Sequence, residues 1–207
     1  GTITDISRIS AFALTQYGCD KASLLSIPYT FVSEEHFWNF AASDLAQEFL
    51  LEPQEIGLPL RGLCYGEEGF RHFFLKTEVK SLEDLKGLKI RVMGSDTCLN
   101  MMNAMGGSGV AMAQGDVYSA IQTKTLDGAE NNINTYIDLV QYEVAPYYNY
   151  TGHLLLPDEL VISKMILDQM SPEDQAALRK VCEDSIPYAF DLVAEADLGA
   201  LFHIMQQ

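Results

Sequence analysis

Gly87-Leu88-Lys89-Ile90-Arg91-Val92-Met93 is the stretch on which the fold turns. Leu88, Ile90 and Val92 alternate with Lys89 and Arg91, a period of two that predicts a short strand with one buried face. Gly94-Ser95 ends the strand, and Ser95 is placed to cap a helix over 95–105 that Gly106-Gly107 stops. A strand feeding a turn and a helix is an α/β unit, and in open α/β sheets ligands bind outside the carboxyl ends of the strands. Arg91 therefore stands where an anion could be held. The alternative, from this stretch alone, is an arginine in a surface salt bridge.

Working back from this strand, Ser81-Leu82-Glu83-Asp84 fits a capping box over one helical turn. Residues 60–65 and the charged run Glu67-Glu68-Gly69-Phe70-Arg71-His72-Phe73-Phe74 read as two strands. Ser33 caps a helix with Glu34 and Glu35 in its first turn, and Phe37, Phe40, Ala41, Leu45 and Phe49 recur at helical spacing as far as Leu51. Residues 24–31, interrupted by Pro28, read as an edge or loop segment. A short helix over 11–17 and a strand over 3–7 precede it.

Working forward, 110–113 reads as a strand, 116–123 as a helix, and 126–130 as a strand entering the polar run Asn131-Asn132-Ile133-Asn134. Residues 136–142 read as a helix, 148–155 and 160–163 as strands. Ser171-Pro172-Glu173-Asp174 opens a helix running toward Met205, with a break or kink expected at Pro187. Helices and strands alternate throughout, which makes the fold α/β.

The chain has 207 residues, 48% of them apolar and 20% charged, enough for one large domain or two small ones. It contains no run of 18 apolar residues to span a membrane. A net charge of −16 argues against nucleic acid and anionic membrane surfaces as partners. The arginines are Arg8, Arg61, Arg71, Arg91 and Arg179, so an anion would have to meet a local cluster of them. Cys19, Cys64, Cys98 and Cys182 form no C-x-x-C pair and have no histidine at metal-ligand spacing. They read as isolated buried thiols, with one disulfide open in an oxidising compartment.

No nucleophile elbow, phosphate loop or zinc-binding H-E-x-x-H is present. His36, His72, His153 and His203 have structural readings, with His72 or His153 as a general base the alternative, and Met101, Met102 and Met105 sit at core spacing. Tyr147, Tyr148 and Tyr150 read as interdomain packing, with an aromatic wall to a ligand cleft as the alternative.

Taken together, Leu85-Lys86-Gly87-Leu88-Lys89-Ile90-Arg91-Val92, Asp116-Val117-Tyr118-Ser119-Ala120-Ile121-Gln122-Thr123 and Asp127-Gly128-Ala129-Glu130-Asn131-Asn132 resemble the solute-binding subunits of TRAP (tripartite ATP-independent periplasmic) transporters. Tyr142-Glu143-Val144, Thr151-Gly152-His153 and Ser171-Pro172-Glu173-Asp174-Gln175 continue the resemblance in order, and it fades after Pro187. It implies a periplasmic-binding-protein-like clamp of two α/β domains with a ligand cleft between them. Domain I would hold 1–68 and 157–190, domain II 69–156, and 191–207 would begin an interdomain or C-terminal helix. On this reading the chain lacks parts of the fold at both ends.

The resemblance further implies that Arg91 meets a ligand carboxylate in a bidentate pair, that Arg71 is a second arginine of the site, and that Asn131 contacts the ligand. Two arginines in one cleft repel unless an anion lies between them. Where the family often has an aromatic, this chain has Gln114 followed by Gly115, which points to a more polar ligand. Glu67, Glu68, Asn132 and Asn134 add hydrogen-bonding groups, with Glu68 and Asn132 counted among the ligand-binding residues. The expected ligand is a sugar acid such as a hexuronate, ahead of a C4-dicarboxylate. It would be captured outside the cytoplasm, with lipid anchoring left open, and passed to TRAP membrane subunits. No cofactor, metal or catalysis is expected. The alternative is a lyase or isomerase acting on a small carboxylate in the same cleft, with His72 or Glu68 as base.

Overall fold

The computed structural model describes residues 4–205. In chain order its elements are β1 (Ile6–Ser10), α1 (Ala11–Thr15), α2 (Asp20–Leu25), α3 (Glu34–Ala41), α4 (Asp44–Glu55), β2 (Leu60–Leu75), β3 (Lys89–Val92) and α5 (Asp96–Ala104). These are followed by β4 (Ser108–Ala111), α6 (Val117–Gln122), β5 (Gly128–Asn131), α7 (Ile133–Asp138), β6 (Tyr147–Ser163), α8 (Lys164–Leu167) and α9 (Pro172–Met205). The strands are ordered β1-β6-β2-β5-β3-β4 in the sheet. β1 with β6 and β2 with β5 pair antiparallel, while β3 is parallel to both β4 and β5.

The chain divides into two compact units. The first takes Gly1–Ser26, Thr30–Glu68 and Leu156–Glu195; the second takes Ile27–Tyr29, Gly69–Leu155 and Ala196–Gln207.

In the first unit, the strand expected over 3–7 is β1 at Ile6–Ser10, anchored where Arg8 pairs with Asp158 of β6; Ile3 lies outside the described residues. The single helix expected from Ser33 to Leu51 is two. Ser33 Oγ accepts from His36 N at 3.0 Å, and Ser43 Oγ starts α4 by accepting from Ala46 N at 3.3 Å. Ser43-Asp44 is a second start signal, hidden because the apolar positions stay in phase across it. Phe37 makes edge contacts to Phe31 and Tyr65, with ring centroids 5.2 and 6.4 Å apart. Leu50 of α4 packs so closely on β2 that a Cβ at Gly62 would lie 2.8 Å from the Leu50 carbonyl oxygen.

The segment expected as an edge or loop holds the end of α2. Its first turn is capped from afar, as Glu52 accepts from Lys21 N at 2.9 Å and Ala22 N at 3.2 Å. A carboxylate on free N–H groups at a helix start is favourable, and here it lies in another helix.

In the second unit, the strand expected over 87–93 is β3. Lys89 is exposed, but Arg91 is buried along with Ile90 and Val92, so the strand is covered on both faces rather than one. Ser95 Oγ accepts from Cys98 N at 3.1 Å to start α5, and Gly106, at φ 95°, follows its end. Phe74, Val117, Ile121, Leu126, Ala129 and Tyr136 form the core that holds α6 and α7 against the sheet. A Cβ at Gly128 would meet the Phe74 carbonyl oxygen at 2.3 Å, so only glycine fits this β5 position. α7 begins earlier than the expected 136, because Asn132 in the polar run is its cap: Asn132 Oδ1 accepts from Thr135 N at 2.7 Å.

Each pair of expected strands at 60–74 and 148–163 is one long strand, β2 and β6. α9 starts as expected, with Ser171 Oγ accepting from Asp174 N at 3.1 Å, and runs on through Pro187 as one helix instead of breaking there. Among the described residues no helix is long and apolar enough to cross a membrane.

Candidate anion-binding site

β5 lies between β2 and β3. His72 stands opposite Asn131, Phe73 opposite Glu130, and Arg91 beside Ala129. Side chains alternate along a strand, so Asn131 shares a face with Arg91, while Glu130 shares the other with Arg71.

On the Arg91 face, Arg91 Nε donates to the Met112 carbonyl at 2.8 Å and Nη1 to Gln114 Oε1 at 2.9 Å. Asn131 Nδ2 donates to that same oxygen at 3.1 Å. Asn131 is fixed in turn, its Oδ1 accepting from Asn132 N at 2.9 Å and its carbonyl from the Tyr148 hydroxyl at 3.3 Å. Arg91 is only 5% exposed, yet among the described residues no carboxylate forms an ion pair with it. Burial lowers its pKa, Glu130 opposes this and Arg71 adds to it. An arginine stays charged under such shifts. Gln114 Nε2 is buried with no hydrogen-bond partner among the described residues.

On the opposite face, Arg71 grips Glu130 in a fork: Nε to Oε2 at 2.6 Å, Nη2 to Oε1 at 3.0 Å, and Nη2 to the Glu130 carbonyl at 2.9 Å. His153 Nε2 lies 3.5 Å from Glu130 Oε2, and its ring stacks on Phe73 with centroids 4.5 Å apart. Thr151 Oγ1 is 2.8 Å from His153 Nδ1. Burial would push the Glu130 carboxyl up, but Arg71 and His153 outweigh it and hold the group down at about 2. The mutual repulsion of Arg71 and Arg91 is thus met by an internal anion. The pairing of Glu130 with Arg71 and His153 was not read from the sequence, although a glutamate in a buried strand signals a need for a cation.

The other expected residues have the following partners. Asn132 caps α7. Glu68 lies in the first unit in an ion pair with Arg8, which also reaches Asp158 at 2.9 Å. His72, the alternative base, accepts from Gly152 N at 2.9 Å through Nδ1, which occupies that lone pair. Burial, with His153 adding to it, holds His72 down at about 4. Tyr148 and Tyr150 pack on the His72 ring at 5.5 and 5.0 Å between centroids, within the second unit. Among the described residues no group of histidine, cysteine and acidic side chains could hold a metal ion.

The family model DctP, bacterial extracellular solute-binding protein, family 7, matches residues 3–207. The chain belongs to this family. A TRAP periplasmic solute binding protein from Pseudomonas putida F1, solved with bound D-glucuronate, is similar to this family 7 chain at 32% identity and a TM-score of 0.94, covering 98% of this chain and 66% of that one. Another, from Bradyrhizobium sp. BTAi1 in complex with α/β-D-galacturonate, shares 35% identity at a TM-score of 0.91, covering 98% and 67%. A solute-binding protein of Chromohalobacter salexigens is 34% identical over 165 residues, 79% of this chain and 48% of that protein. The chain therefore spans about half the length of that relative. The expected α/β, periplasmic-binding-protein-like fold is the fold of these structures. The family and these neighbours are solute-binding proteins rather than enzymes.

Proposed function

We propose that this chain captures a hexuronate-like sugar acid outside the cytoplasm and delivers it unchanged to the membrane subunits of a TRAP transporter. The observation that carries this reading is Arg91, a buried cation aligned by Met112 and Gln114 and paired with no described carboxylate. A guanidinium fork matches a carboxylate, and such charge-assisted bonds are about twice as strong as neutral ones. Arg71 is already neutralised by Glu130, so the ligand carboxylate goes to Arg91.

The preference for a sugar acid rests on Gln114 and Asn131. A buried amide N–H without an acceptor costs about 1–3 kcal/mol, so Gln114 Nε2 needs an acceptor from the ligand. A sugar hydroxyl accepts from Gln114 Nε2 and can also donate to the second lone pair of Asn131 Oδ1. The far carboxylate of succinate only accepts. The glucuronate and galacturonate bound in the neighbours support the same class. Competition calorimetry at fixed pH and salt tests the reading, with glucuronate and galacturonate against succinate and malate. Tighter binding of the uronates, recovered unchanged, is expected. Preference for succinate or malate would overturn the sugar-acid assignment, and turnover of the ligand would overturn the transport reading.

A further inference from the structure

Cys64 lies on β2 and Cys182 on α9, far apart in sequence but both in the first unit. Cys182 is buried in a cluster with Leu63, Ile162 and Leu167, and Cys64 packs against that cluster. The two side chains therefore meet in one apolar cluster between strand and helix. Cys19 instead packs with Leu14 and Ala22, and Cys98 lies in the second unit. We propose that Cys64 and Cys182 are joined as a disulfide in an oxidising compartment, a covalent staple between β2 and α9.

All four thiols are free in the structure, so the staple requires an oxidant, here a low-molecular-weight disulfide such as oxidised glutathione. One protein thiolate attacks a sulfur of the carrier and expels one carrier thiol. The second protein thiolate then attacks the mixed disulfide at the protein sulfur and expels the other. One S–S bond forms in the protein and one breaks in the carrier, and the two protein thiol protons end on the released thiols. Cys64 holds the Cys182 thiol below its ordinary range, against the effect of burial, which favours Cys182 as the attacking thiolate. Both side chains already pack in the same cluster before any bond forms.

The staple is independent of the ligand, and the full chain tests it directly. The chain is equilibrated with oxidised glutathione, alkylated under denaturing conditions and mapped by mass spectrometry, with unfolding followed with and without dithiothreitol. The expected result is a mass lower by two hydrogens, one cross-linked peptide joining Cys64 to Cys182, and alkylation of Cys19 and Cys98 only. Dithiothreitol should lower the unfolding midpoint by about 5–15 °C. Cys64→Ser and Cys182→Ser should each remove that sensitivity, while Cys19→Ser and Cys98→Ser keep it. Alkylation of all four cysteines, a cross-link between any other pair, or a Cys64–Cys182 link with an unchanged midpoint would overturn the proposal. The map of the unsubstituted chain decides the pairing even if a serine variant fails to fold.

Discussion

Arg91 and Asn131 donate to one and the same oxygen, Gln114 Oε1, at 2.9 and 3.1 Å. Both lone pairs of that oxygen are then used, which fixes the orientation of the amide and leaves its Nε2 without a partner among the described residues. The arrangement aligns a buried guanidinium without neutralising it. A neutral acceptor holds the fork in place while the charge stays available to an incoming anion.

Arg91→Ala is expected to abolish uronate binding and Arg91→Lys to weaken it strongly, since lysine lacks the planar fork. Removing one partner of a desolvated charge pair costs about 2–5 kcal/mol of binding free energy. Calorimetry with glucuronate measures this. Undiminished affinity in Arg91→Ala would remove Arg91 from the site.

Gln114→Glu would place a carboxylate within reach of Arg91 Nη1, where Gln114 Oε1 now accepts. The new internal ion pair competes with the ligand. Uronate affinity should fall while the ligand-free protein unfolds at a temperature no lower than the parent. A variant that binds uronates as well as the parent would show that the Arg91 charge is not what the ligand uses.

Glu130→Gln leaves Arg71 buried without its anion. Breaking such a pair from one side costs about 3–5 kcal/mol, readable as a lower urea midpoint at neutral pH. The folded Glu130 titrates at about 2, below its ordinary value of 4.5. Its stabilisation is therefore present above about pH 4.5 and is lost as pH falls toward 2. The variant should lack this part of the acid-unfolding transition. Acid unfolding identical to the parent would contradict the assigned pairing.

Glu159 gives the opposite sign. It is 1% exposed, and burial pushes it up to about 8, with Glu52 adding to the shift and the nearby Tyr65 hydroxyl opposing it. A carboxyl raised in the folded state contributes stability that is complete below its ordinary 4.5 and is lost as pH rises through 8. Glu159→Gln should therefore gain on the parent between about pH 5 and pH 8, by up to about 1.4 kcal/mol per pH unit. Urea midpoints across that range provide the check. A difference that does not change with pH would exclude a protonated Glu159.

Elements with their own local start signals were legible in the sequence. Ser33, Ser95 and Ser171 each cap the helix expected of them. α2 was not legible because Glu52 caps it from another helix. β2 and β6 were read as broken because Gly66 and Pro157 look like punctuation, although pairing with neighbouring strands carries the chain through them. Arg91 could be picked out from its position near the end of a patterned strand. The roles of Glu130 and His153 depend on Arg71, which comes from a different strand, so no local pattern announces them.

The most direct test of the central claim is a crystal structure of the chain with D-glucuronate bound. The ligand carboxylate is expected within about 3.2 Å of the Arg91 Nη atoms, with a sugar hydroxyl on Gln114 Nε2. A carboxylate held elsewhere, with Arg91 still bound only to Met112 and Gln114, would contradict it.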